Sequence, residues 1–213
     1  MYRFLLFLAS ILVRPFIGIS VYNRRNMQKG NGLIVCNHLR SWDVFLIAFI
    51  YRKEILYFVG KQELIKNKFV AWLFKKAGFI SIAREDNDVK SMIQIIRLLR
   101  QGKKVVIFPE GTRNRVNEDL QPIKNGAALM AISGKAPVMP MILYNRFRLF
   151  RRMYAGIGKP YEYTEYYGIK MTPETIEDAG VKMQREMIAV QQELREIMAL
   201  PKKERKAKFK ESK

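Results

Sequence analysis

Along most of the chain, short apolar runs alternate with longer segments of helical periodicity. Gly32-Leu33-Ile34-Val35-Cys36 is β-prone and reads as a strand, with Asn37 to Ser41 as the loop after it. Ser41 is a good N-cap, so a helix is expected to start at Trp42 and to carry Val44 to Ile50 inward. Leu56 to Val59 and Phe79 to Ala83 are two more strands, on either side of a helix over 64–76 that holds Phe69, Trp72, Leu73 and Phe74. From Asp86 to Arg100, Val89, Met92, Ile93, Ile96 and Leu99 recur at helical spacing, and Gly102 stops the helix. Val105 to Phe108 is a strand that feeds the turn Pro109-Glu110-Gly111-Thr112. A short helix over Gly126–Ser133, a strand over Val138–Tyr144 and one more strand or hairpin within Tyr154–Tyr163 follow. Thr172-Pro173-Glu174 starts a last helix, with Thr as N-cap and Pro at its first position, and Met183, Met187, Val190, Leu194 and Ile197 form its apolar face. The alternation predicts an α/β fold: a single domain with a mixed sheet flanked by helices.

The two ends differ from this pattern. Phe4 to Val13 is apolar apart from Ser10, Arg14-Pro15 interrupts, and Phe16 to Val21 resumes. A spanning helix needs about 20 uninterrupted apolar residues. The break at Arg14-Pro15 leaves two readings, an N-terminal core helix and, favoured here, a short membrane-associated helical segment over residues 1–25, a monotopic anchor bent at Pro15. The body is then 26–200. Residues 201–213 form a basic tail, expected to be disordered or bound at a surface.

Charge sharpens this picture. With 39 Lys+Arg against 19 Asp+Glu, the 213 residues carry +20, which calls for polyanionic surroundings: nucleic acid, anionic lipid or an acidic carrier protein. Aromatic residues sit mostly inside apolar runs rather than as a stacking platform beside basic ones, which argues against nucleic acid. The cytoplasmic face of the cell membrane, which attracts Lys and Arg, is the expected location, with monotopic or peripheral attachment. The single Cys and single His exclude an intramolecular disulfide and the usual Cys/His zinc site.

The one histidine, His38, has Asp43 five positions later. On a continuous helix the two would lie about 140° apart, so they meet only if His38 precedes the helix and the loop folds back. The carboxylate would then fix one imidazole nitrogen and leave the other as a general base. In Glu110-Gly111-Thr112-Arg113, backbone N–H groups, a glycine that permits close approach and a guanidinium fork suit a phosphate. Cys36, two residues before His38, and Ser41 are conceivable covalent acyl carriers.

Asn37-His38-Leu39-Arg40-Ser41-Trp42-Asp43 and Phe108-Pro109-Glu110-Gly111-Thr112-Arg113 together resemble two blocks of the glycerolipid acyltransferase family, the bacterial 1-acyl-glycerol-3-phosphate acyltransferases especially. Gly78–Arg84 is similar to a third block, an apolar strand ending in a substrate-binding arginine. Ala136–Met141 is similar to a fourth, and Lys61-Gln62-Glu63-Leu64 to the stretch between the first two. The resemblance covers about residues 32–143. It implies transfer of a fatty acyl group from an acyl-CoA or acyl-carrier-protein thioester to the hydroxyl of lysophosphatidic acid, giving phosphatidic acid. His38 and Asp43 would be catalytic. Glu110, Gly111, Thr112, Arg113, Arg84 and Lys61 would bind the acceptor, with no metal and no bound cofactor. Acyl carrier protein is a candidate partner as donor. The alternatives are glycerol-3-phosphate or another lysophospholipid as acceptor or, from a different class, a non-enzymatic basic protein that binds membranes or RNA.

Overall fold

Strand β2 (Gly32–Cys36) is buried along its whole length, because its residues alternate between two apolar cores rather than between core and solvent. Leu33 and Val35 enter one core; Ile34 and Cys36 enter the other. The structure, a computed structural model, describes residues 18–61, 79–82 and 89–212. Around β2 stand β1 (Ile19–Tyr22), β3 (Leu56–Lys61), β4 (Phe79–Ile82), β5 (Lys104–Ile107), β6 (Val138–Leu143) and β7 (Met153–Ile157). Their order across the sheet is β1-β7-β6-β2-β5-β3-β4. Every neighbouring pair is parallel except β6–β7, so the sheet is mixed, as expected.

The described helices are α1 (Asp43–Ile50), α2 (Val89–Arg100), α3 (Gly126–Gly134), α4 (Pro173–Ala199) and α5 (Lys202–Glu211). Leu99 of α2, Ala128 and Ala131 of α3, and Met183, Met187 and Leu194 of α4 fill the core on the Leu33 side. Leu46, Ile47 and Ile50 of α1 close the other. Gly102 ends α2 at φ 75°, and the Thr172 hydroxyl accepts the Thr175 N–H at the start of α4, both as the sequence predicts.

Three expectations are corrected. Residues 19–22 are not anchor but sheet: β1 pairs in parallel with β7, in register Ile19 to Met153. The basic tail is not disordered over 202–211; it forms α5, whose Phe209 is buried with its ring centroid 5.9 Å from Tyr22 and 5.6 Å from Tyr154. One aromatic on a lysine-rich helix is enough to seat it when two tyrosines on the sheet edge present an apolar surface. Ser41 caps nothing. Helix α1 starts at Asp43, and the loop before it is held by the Asp43 carboxylate instead. The expected helix over 64–76 and the anchor residues before 18 lie outside the described residues. Among the described residues, no helix is long and apolar enough to cross a membrane.

Candidate active site

At the end of β2 the chain must leave the sheet, and Asn37 arranges the exit. Its side-chain amide donates to the Leu143 carbonyl at 3.0 Å, while its oxygen accepts the Leu143 N–H at 2.8 Å. The buried side chain thus replaces the backbone pairing with β6, and the backbone of the next residue is free to turn. Asp43, wholly buried at the first position of α1, gathers the loop. One oxygen, Oδ2, accepts the N–H of Leu39 and of Arg40, each at 2.7 Å, and lies 2.9 Å from His38 Nδ1. With Nδ1 donating to that carboxylate, the lone pair resides on Nε2. The imidazole stacks on Phe108, centroids 4.1 Å apart, and its side chain keeps 17% exposure. The His-x4-Asp spacing therefore closes as a loop folded back on a helix start.

The second loop meets the first through its backbone. Glu110 Oε1 accepts the His38 N–H at 2.9 Å, and the Asn114 N–H donates to the His38 carbonyl at 2.8 Å. Glu110 is buried, 5% exposed, and burial pushes its carboxyl up to about 7, against the pull of the His38 and Gln121 amides. It stands behind the histidine and steadies its backbone. Arg113 Nη1 donates to Ser41 Oγ at 2.7 Å, so the guanidinium is seated on the histidine loop itself. Gly111 turns at φ 70°, and Thr112 is exposed beside it. A Cβ on Gly111 would stand 2.7 Å from Lys124 Cε and 3.0 Å from its Nζ, so the missing side chain lets the Lys124 ammonium lie over the turn. Lys61 is the last residue of β3; Arg84 and the aromatic segment around Trp72 lie outside the described residues.

Cys36 is fully buried. Burial first, then the Asp43 and Glu110 carboxylates, pushes its thiol well above the ordinary value, which is opposite to what an acyl carrier needs. The Ser41 hydroxyl serves as the seat of Arg113. The sequence reading missed three residues. Asn37 stood in the first quoted block without a role, and Asn114 directly follows the second; Asn114, also buried, knits the following loop through the N–H groups of Val116 and Asn117 and the Asp119 carbonyl. Lys124 carries no local signal, since only the folded turn brings it over Gly111.

The family model described as Acyltransferase matches residues 18–144, a range that includes both loops. The chain belongs to the Acyltransferase family. This acyltransferase is 33% identical over 141 residues to the 1-acyl-sn-glycerol-3-phosphate acyltransferase of Bacillus subtilis, covering 66% of this chain and 69% of that one. It is 30% identical over 137 residues to the enzyme of the same name from Helicobacter pylori, covering 62% and 56%. The crystal structure of the 1-acyl-sn-glycerophosphate (LPA) acyltransferase PlsC from Thermotoga maritima shares its fold, with a TM-score of 0.65, 21% identity, and 86% of this chain and 73% of that chain covered. The acyltransferase carries the His38 and Arg113 loops at the ends of β2 and β5, on adjacent parallel strands.

Proposed function

We propose that the acyltransferase moves a fatty acyl group from an acyl-CoA or acyl-carrier-protein thioester to the free hydroxyl of lysophosphatidic acid, giving phosphatidic acid. The observation that carries the reading is the seating of Arg113 on Ser41, three residues past a histidine whose Nδ1 is held by Asp43. A base and an anion-binding guanidinium thereby share one loop. His38 Nε2 takes the proton of the acceptor hydroxyl as its oxygen attacks the thioester carbonyl. The tetrahedral intermediate collapses with cleavage of the C–S bond, and the imidazolium returns the proton to the departing thiolate. A thioester is already activated, so a base and a positioned acceptor suffice. Asp43 holds the tautomer and balances the imidazolium charge.

The acceptor phosphate is assigned to Arg113, the turn at Gly111 and Thr112, and Lys124 above it; Lys61 and Arg84 are proposed to complete the cationic lining. Glu110 is reassigned from acceptor contact to positioning of His38. Residues before 18 are proposed to hold the enzyme peripherally at the cytoplasmic face of the cell membrane, where a lysophospholipid is found.

Thiol release by the purified full chain tests the reading, with palmitoyl-CoA and palmitoyl-carrier protein as donors and lysophosphatidic acid, glycerol-3-phosphate and an uncharged monoacylglycerol as acceptors. Turnover is expected with lysophosphatidic acid well above the other two. Equal turnover of the monoacylglycerol would remove the phosphate from the mechanism, and preference for glycerol-3-phosphate would move the acceptor.

A further inference from the structure

The loop joining the antiparallel strands β6 and β7 reads Arg-Phe-Arg-Leu-Phe-Arg-Arg over 146–152, with no acidic residue. Its tip is a turn in which the Arg151 N–H donates to the Arg148 carbonyl at 3.2 Å, so Leu149 and Phe150 are the two central residues. Phe150 has φ 61°, the left-handed region that turns of this kind fill with glycine or asparagine. A bulky residue there is strained. Yet Phe150 is 76% exposed and Leu149 58%. The tip thus presents exposed apolar surface at a position where turn chemistry favours glycine or asparagine.

The apolar surface continues beyond the tip. The Phe147 ring lies 5.5 Å from Trp42, and Trp42 lies 5.4 Å from Phe45. Trp42 and Phe45 are about half exposed, because α1 is apolar on its outward side as well as its core side. Around this surface the charge is positive. Arg146 is turned inward to the Asn117 carbonyl, but Arg148 and Arg151 are exposed beside the tip. Of the acids on the neighbouring loop among the described residues, Glu118 accepts the backbone N–H of Arg146 and Asp119 pairs with Arg195.

We propose that the tip of the β6–β7 hairpin, together with the outward side of α1, docks the enzyme on an anionic bilayer surface. Aromatic and leucine side chains enter the headgroup–acyl boundary while arginines meet lipid phosphates, the division of labour that interfacial segments use. Charge complementarity selects this occupant over a second copy of a chain that itself carries +20. Because Trp42 adjoins the His38 loop, the docked face opens the candidate active site toward the lipid. The docking itself is independent of which acceptor reacts.

Partition of the purified full chain onto phosphatidylglycerol–phosphatidylcholine vesicles tests this. Phe150→Gly is expected to raise Tm, by relieving the strain, and to weaken partition; stability and binding move in opposite directions, so misfolding cannot imitate the result. Leu149→Asn/Phe150→Gly is expected to lower partition by about tenfold or more. Arg148→Gln/Arg151→Gln is expected to lower it about fivefold per residue in low salt only. Phe150→Trp is expected to gain fluorescence quenched by brominated acyl chains. Unchanged partition of the double variant, or no added quenching, overturns the proposal. Loss of a dimer in that variant by sedimentation velocity would assign the face to a second copy and equally overturn it. Turnover of detergent-dispersed lysophosphatidic acid should be the same in wild type and double variant. If neither turns it over while partition still falls, the acceptor reading fails and the docking face stands.

Discussion

Glu110 and His38 are joined across 72 residues of chain by one hydrogen bond, the His38 N–H donating to Glu110 Oε1 at 2.9 Å. With the Asn114 N–H on the His38 carbonyl, both polar groups of the histidine backbone are fixed by the loop that carries Arg113. The base and the anion-binding guanidinium therefore cannot drift apart without breaking buried hydrogen bonds.

The burial of Glu110 predicts a pH signature. The Glu110 carboxyl sits at about 7, above the ordinary range near 4.5, because of burial. An acid with a raised folded-state value stabilises the fold at low pH and loses that contribution as pH rises from about 4.5 through about 7. Glu110→Gln keeps an oxygen for the His38 N–H and removes the titration. The variant should therefore gain stability relative to wild type as pH goes from about 5 to 8, and thermal melts across that series check it. Curves that stay parallel would show that Glu110 does not ionise in this range.

His38→Ala should fold normally, since the ring is partly exposed, and should lose about 10²–10⁴-fold in kcat. Circular dichroism and thiol release on the same preparation decide it. Cys36→Ser should retain turnover, because the thiol lies buried with a raised pKa. A folded but dead Cys36→Ser would restore the covalent route.

Arg113→Ala should raise the KM for a phosphate-bearing acceptor by about tenfold or more, with little change for the donor. Lysine at 113 should recover only part, since an ammonium lacks the bidentate fork. Lys124→Ala should raise the same acceptor KM by less, because its ammonium is exposed where it crosses Gly111. Initial-rate kinetics varying each substrate in turn separate these effects. A uniform fall for charged and uncharged acceptors would make both cations structural.

Phe209→Ala should cost about 3 kcal/mol, the usual loss for a buried phenylalanine, although Phe209 stands between Lys208 and Lys210 on a lysine-rich helix. Urea unfolding measures it. A loss under about 0.5 kcal/mol, the range of ordinary surface changes, would mean that α5 is only loosely applied to Tyr22 and Tyr154.

The sequence by itself determined the strands and helices of the central body, because residues buried on two sides leave continuous apolar runs and helices leave their period. Leu33 to Cys36 and Met183 to Ile197 were legible for that reason. It also marked His38, Asp43, Glu110 and Arg113, since their spacing around strand ends is a local property. Only the tertiary structure decided the rest. Ile19 to Tyr22 continues an apolar stretch whether it enters lipid or a sheet, with Ser20 its one aliphatic hydroxyl, and the choice was made by β7, more than a hundred residues away. Phe209 reads as one aromatic in a solvated tail until two tyrosines of the sheet edge lie beneath it. The partners of Ser41, Glu110 and Lys124 were likewise invisible, because each depends on two loops meeting across the ends of parallel strands. Contacts between residues far apart in sequence leave no period and no spacing for a single chain to show.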